Sequence, residues 1–184
     1  MDPVIKGALA AILFTISGVL TAGIFVVPNS HDGFINLAIL ATPIPYAIAS
    51  ALLYVGDSGV VEALGSVSLV IGSWLAAYCI AFTSMFIFGP YPGLLPAGAV
   101  GGLGIAVATG FHSPALNSRT CRVTASIIGG VLGLLCGNLI LMPAQPNLGP
   151  ARIGFALWQS AVGTYLYAMA LQPQKKEPVT PNAR

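Results

Sequence analysis

Val60 to Phe88 reads VVEALGSVSLVIGSWLAAYCIAFTSMFIF, with Glu62 as its one charged side chain. A hydrocarbon layer roughly 30 Å thick is crossed by about 20 apolar residues of helix. This run is about nine residues longer than that, which places its first turns with Glu62 in the interface and the span itself over 62–88. Further apolar runs of similar character flank it at about 5–27, 34–55, 94–111, 122–142 and 153–171. The composition agrees: 184 residues hold seven Lys and Arg and five Asp and Glu, 7% charged, against about a quarter in an ordinary soluble domain. A mean hydropathy of +0.88 points the same way. The reading is an all-α polytopic membrane bundle of six transmembrane helices forming a single domain over 1–171, with 172–184 as a disordered tail. A net charge of +2 without a basic stripe excludes nucleic acid as a partner.

Six spans place both termini on one side of the bilayer. Lys6, Arg119, Arg122, Lys175, Lys176 and Arg184 then share that side, against Arg152 alone opposite. Basic residues accumulate on the cytoplasmic face, so the N- and C-termini and the tail are expected in the cytoplasm. The expected setting is a bacterial cytoplasmic (inner) membrane.

Helices in lipid have little hydrophobic reason to associate, so small residues that let backbones approach hold them together. Gly129, Gly133 and Gly137 recur at spacing four and share one helix face. Gly98, Gly102, Ala106 and Gly110 repeat the device one span earlier. The two stripes predict a tight helix pair, within one chain or between copies in a homo-oligomer.

Chemistry has few carriers. Cys79, Cys121 and Cys136 form no Cys-x-x-Cys pair, and His31 and His112 fall on opposite sides of the membrane, so no metal site is expected. Ser58 in Gly56-Asp57-Ser58-Gly59 has no histidine on its side except His112. Neither an enzyme nor a cofactor is expected. Glu62 is the one acid that could enter a span, as a proton-coupling group or an ion-pair partner of Arg119 or Arg122. Asn36, Asn138 and Gln159 lie in or near spans and need partners that lipid does not supply. Pro43 and Pro45 interrupt the second span beside Tyr46 and free carbonyls one turn back, a device that builds solute sites near the midplane of transporters. Trp74 with Tyr78 and Trp158 with Gln159 could line an aromatic path. Pro43, Pro45, Tyr46, Trp74, Asn138 and Gln159 are therefore the candidates for a substrate path, with His112, Arg119 and Arg122 at its cytoplasmic mouth.

The start of the fifth run, Arg122-Val-Thr-Ala125-Ser126-Ile-Ile-Gly129-Gly-Val-Leu-Gly133, resembles the Arg-x-x-Gly-Thr-x-x-Gly-x-x-x-Gly pattern in membrane domains of the fusaric-acid-resistance and aromatic-acid exporter family. It covers about a dozen residues, with Ala125 and Ser126 in place of the usual Gly and Thr. The resemblance implies export of small aromatic or organic acids, with Arg122 where an anion would enter.

Two functions compete. The first is a small membrane transporter or channel for a neutral or weakly acidic solute. The second is a non-catalytic accessory or protective subunit packing on a larger membrane complex, which shortage of charge and abundance of small-residue faces suit equally.

Overall fold

The computed structural model describes residues 3–25, 41–54, 60–89, 91–113, 115–141 and 149–172. Six helices dominate these residues: α1 (Pro3–Phe25), α2 (Ile44–Tyr54), α3 (Val60–Phe88), α4 (Leu94–Thr109), α5 (Arg119–Leu141) and α6 (Gly149–Ala170). No strand occurs among the described residues. Within α1, α3 and α5, Val4–Ile24, Val61–Phe88 and Arg119–Gly137 are long and apolar enough to cross a membrane.

The side chains are distributed inside out relative to a soluble protein. Leu9, Ile12, Ile16 and Leu20 of α1, Phe82 and Phe86 of α3, and Ile127, Val131 and Leu135 of α5 face outward. Ser17, Thr21, Ser66, Thr109 and Gln159 are buried. Soluble monomers limit contiguous apolar patches to a few hundred Å², whereas here the outward faces of successive helices are apolar. That surface suits acyl chains, and the chain is membrane-embedded.

Each helix packs against the next, and α6 returns to α1, so the six form a closed ring. Two contacts bring backbones together. Between α4 and α5, a Cβ at Gly98 would strike the Gly129 carbonyl, one at Gly102 the Ala125 carbonyl, and one at Gly133 would lie 2.6 Å from the Leu94 carbonyl. Between α1 and α6, a Cβ at Gly18 would lie 2.6 Å from the Ala156 nitrogen, and one at Gly163 would strike the Phe14 ring. Hydroxyls tie the helices further: Ser66 Oγ donates to the Ala108 carbonyl (3.0 Å) and Ser126 Oγ to that of Ala99 (3.1 Å). The turn from α3 to α4 is tight because Gly89 adopts φ +90°, which glycine enters without strain.

The second expected span is organised differently from a continuous helix over 34–55. Ala41 is helical, Thr42 and Pro43 form a turn, and α2 begins at Ile44; residues 34–40 lie outside the described part. Two prolines two positions apart remove two backbone donors, so the helix restarts instead of bending. Pro45, second in α2, stands where a missing N–H leaves no helical bond unmade. At 1.5 Å per residue α2 rises about 16 Å and α4 about 24 Å, short of a layer roughly 30 Å thick. α6 has 22 residues, but Arg152, Gln159 and its hydroxyls dilute its apolar character.

Candidate functional site

The interior of the ring divides into two unlike regions. One lies where α1, α6 and the start of α2 meet, around Gln159, whose side chain is fully buried. Gln159 Nε2 donates to Thr21 Oγ1 at 2.8 Å, and Thr21 Oγ1 donates in turn to the Thr42 carbonyl at 3.2 Å. The Ser17 hydroxyl reaches both Gln159 Oε1 and the Phe14 carbonyl, two acceptors for its one proton. Pro43 is buried beside this chain of bonds, and the Tyr46 ring stacks on Phe14 with centroids 5.0 Å apart. The amide thus has partners at both ends, and the carbonyl at the proline break is capped by a hydroxyl from α1. In lipid this closure is obligatory, because no water is at hand to replace it.

The other region lies between α3, α4 and α6 and holds a pocket open on one side. A cavity of about 300 Å³ is lined by Trp74, Ala77, Tyr78, Ala81, Phe82 and Met85 of α3, by Leu94, Ala97, Gly98 and Gly101 of α4, by Gly133 of α5, and by Phe155 and Trp158 of α6. α3 and α6 meet here through aromatic rings: Trp74 stands 6.2 Å from Phe155 and 5.7 Å edge-on from Trp158, centroid to centroid. Gly101 makes room for the Trp158 ring, which a Cβ there would meet at 3.2 Å. Trp158 Nε1 donates to the Gly129 carbonyl at 2.9 Å, and the Tyr78 hydroxyl interacts with Thr42. The buried Trp74 Nε1 has no acceptor among the described residues.

The six substrate-path candidates therefore separate. Pro43, Tyr46 and Gln159 belong to the closed region, with Pro45 half-buried at its helix start. Trp74 belongs to the cavity. Asn138 lies in α5 with its side chain outside the described part, as are Asn36 and His31. The cavity wall adds residues that sequence reasoning did not single out: Ala77, Ala81, Phe82, Met85 and Phe155. Ala77, Ala81 and Met85 recur at spacing four, the signal that α3 presents one face there.

At the opposite end of α3, Glu62 is exposed and its charge acts on His112. Arg122 donates to Asn117 Oδ1, and Arg119 is exposed. Partial burial holds the His112 imidazole below its usual range, while the Glu62 carboxylate pulls it upward. Of the stripe glycines, Gly98, Gly102, Gly129 and Gly133 lie at the α4–α5 contact and Gly137 lies against the Leu94 side chain. Gly110 follows the end of α4, nearest the carbonyls of its own last turn. Cys121 and Cys136 are buried, whereas Cys79 is exposed on the outer face of α3.

Searches against protein-family models, curated proteins and solved structures return no match for the chain.

Proposed function

We propose that the chain is a six-span integral membrane protein with both termini in the cytoplasm, which carries a small neutral or weakly acidic solute through the bilayer. The observation that carries this reading is the apolar pocket of about 300 Å³ between α3, α4 and α6, open on one side and of a size that small solutes occupy. In this topology Trp74 lies near mid-membrane and Met85 and Leu94 near the outer end, so the cavity occupies the outer half. None of the described lining residues is charged, so a weak acid would occupy it in the neutral form. α2 and α4, too short to span alone, complete the ring beside longer neighbours. The dozen residues from Arg122 to Gly133 that resemble the exporter motif serve the α4–α5 contact here, through Ala125, Ser126, Gly129 and Gly133.

The test is flux into proteoliposomes holding the purified chain, across a panel of neutral and weakly acidic solutes. At least one is expected to cross faster than in empty liposomes, and Ala81→Phe, which fills the cavity, is expected to abolish the difference. Flux equal to that of empty liposomes for the whole panel would remove the transport reading. The second reading, an accessory subunit, draws on the Gln159 region, whose polar groups are closed on themselves and leave no path there. Recovery of the chain from its native membrane in stoichiometric complex with another membrane protein would favour it.

A further inference from the structure

We infer that the pocket between α3, α4 and α6 is a phospholipid site, with one acyl chain lying along α3 and the headgroup phosphate held at Arg152. The inference uses the pocket and the topology of the transport reading and goes beyond it, since a lipid held there is bound whether or not a solute crosses. The chemistry of the wall is the first observation. Three lining side chains carry a nitrogen or oxygen, and all three are closed to an occupant. The Trp74 nitrogen and the Tyr78 oxygen are buried, and the Trp158 N–H is engaged by the Gly129 carbonyl. The described lining residues therefore offer an almost wholly carbon surface. A polar solute placed there loses its hydrogen bonds without replacement, whereas an acyl chain has none to lose.

Length identifies the chain. Trp74 is the middle residue of α3, and the lining follows that helix from Trp74 through Ala77, Ala81 and Phe82 to Met85. This stretch rises about 16 Å, against roughly 15 Å for one leaflet of a hydrocarbon layer about 30 Å thick. The slot thus runs from mid-membrane toward one interface, which is the path of an acyl chain within a single leaflet. Phe82 lines it and is 68% exposed, so the chain enters sideways from the bilayer. Arg152 suits the other end of the lipid. It is exposed and stands on α6 one turn before Phe155, toward the interface where α3 ends. Helical side chains lean toward the N-terminus, which directs Arg152 to that interface, and its long stem lets the guanidinium snorkel there. In the six-span topology it is the one basic residue on a side where such residues are scarce. A guanidinium recognises phosphate through paired N–H···O bonds, and phospholipid headgroups supply phosphate at that depth.

Brominated lipids test this, because bromine on an acyl chain quenches an indole it touches and both tryptophans of the chain line the pocket. The full-length protein is reconstituted in phosphatidylcholine bilayers with rising fractions of phosphatidylglycerol brominated in the lower half of its chains. A parallel series uses diacylglycerol with the same chains and no phosphate. The brominated phospholipid is expected to quench the indole emission. Ala81→Phe, with helical content checked by circular dichroism, is expected to relieve that quenching, and the smaller plug Ala81→Leu to relieve part of it. In the wild type the phospholipid is expected to reach half-quenching at about one tenth of the diacylglycerol fraction, the increment of a charge-assisted hydrogen bond. In Arg152→Gln the two lipids are expected to become equivalent. Equal quenching in the wild type and both Ala81 variants would overturn the chain assignment. Equivalence of the two lipids in the wild type, or a preference that survives Arg152→Gln, would overturn the phosphate assignment. Lipid bound in the slot without solute flux would uphold this site and remove transport alone, whereas flux that Ala81→Phe abolishes, with quenching unchanged, would do the reverse.

Discussion

Gln159 and Trp74 belong to adjoining regions of one ring, and their surroundings are opposite in kind. Around Gln159 the groups are polar, buried and bonded; around Trp74 they are apolar, loosely packed and leave one donor over. In a bilayer, polarity is what compels closure. An amide or a hydroxyl among helices must find its partner within the chain, and the partners it finds lock helices together. Carbon makes no such demand, so empty space collects where the lining is aromatic and small. The residues that looked most chemical in the sequence are accordingly the ones consumed by architecture.

The same substitution on the two sides gives the widest contrast. Gly18→Ala forces a methyl into the Ala156 backbone and is expected to cost about 3 kcal/mol or more. Gly101→Ala presses on the Trp158 ring, which can yield into the cavity, and is expected to stay within about 1 kcal/mol. Reversible unfolding in mixed micelles measures both, and similar costs would erase the distinction. Next in size, Gln159→Leu removes the amide that bridges Ser17 and Thr21, at an expected cost of about 1–3 kcal/mol. If that change were neutral, the bonded region would not be a fastening.

The indoles sharpen the comparison at smaller scale. Trp158→Phe and Trp74→Phe remove similar volumes, but only the first breaks a hydrogen bond in the free protein, so it is expected to cost about 1 kcal/mol more. The smallest effect lies outside both regions, at His112. Its depressed imidazole pKa means that the unfolded chain binds a proton more readily. Its stabilising contribution is therefore present above about pH 6.5 and is lost as pH falls below that value. Glu62→Gln removes the charge that raises this pKa and is expected to move the His112 titration further down, as followed by NMR. Movement in the opposite direction would mean that the Glu62 charge does not act on the imidazole.

The helical class was legible because apolar runs and sparse charge speak for themselves, and the glycine spacing of four marked the faces along which α4 and α5 touch. The break at Pro43 was visible as two missing donors, but its consequence, a restart capped by Thr21, depends on a helix 21 residues earlier. The partition of the interior was hidden for a related reason. Trp74 and Trp158 are identical as letters, and only packing decides that one N–H meets Gly129 while the other meets no acceptor among the described residues. The cavity itself is assembled from four helices, whose lining positions run from Trp74 to Trp158.

The closure of the ring by α1 and α6 also sets an order of events at the ribosome. Ser17 and Thr21 are made early, and the amide that joins them follows 142 and 138 residues later. At about 5–20 residues per second, α1 waits roughly 7–30 s with Ser17 limited to the Phe14 carbonyl of its own helix and Thr21 to the Thr42 carbonyl. Assembly of this protein is gated by the arrival of α6, and whatever shelters α1 meanwhile must let go when Gln159 comes.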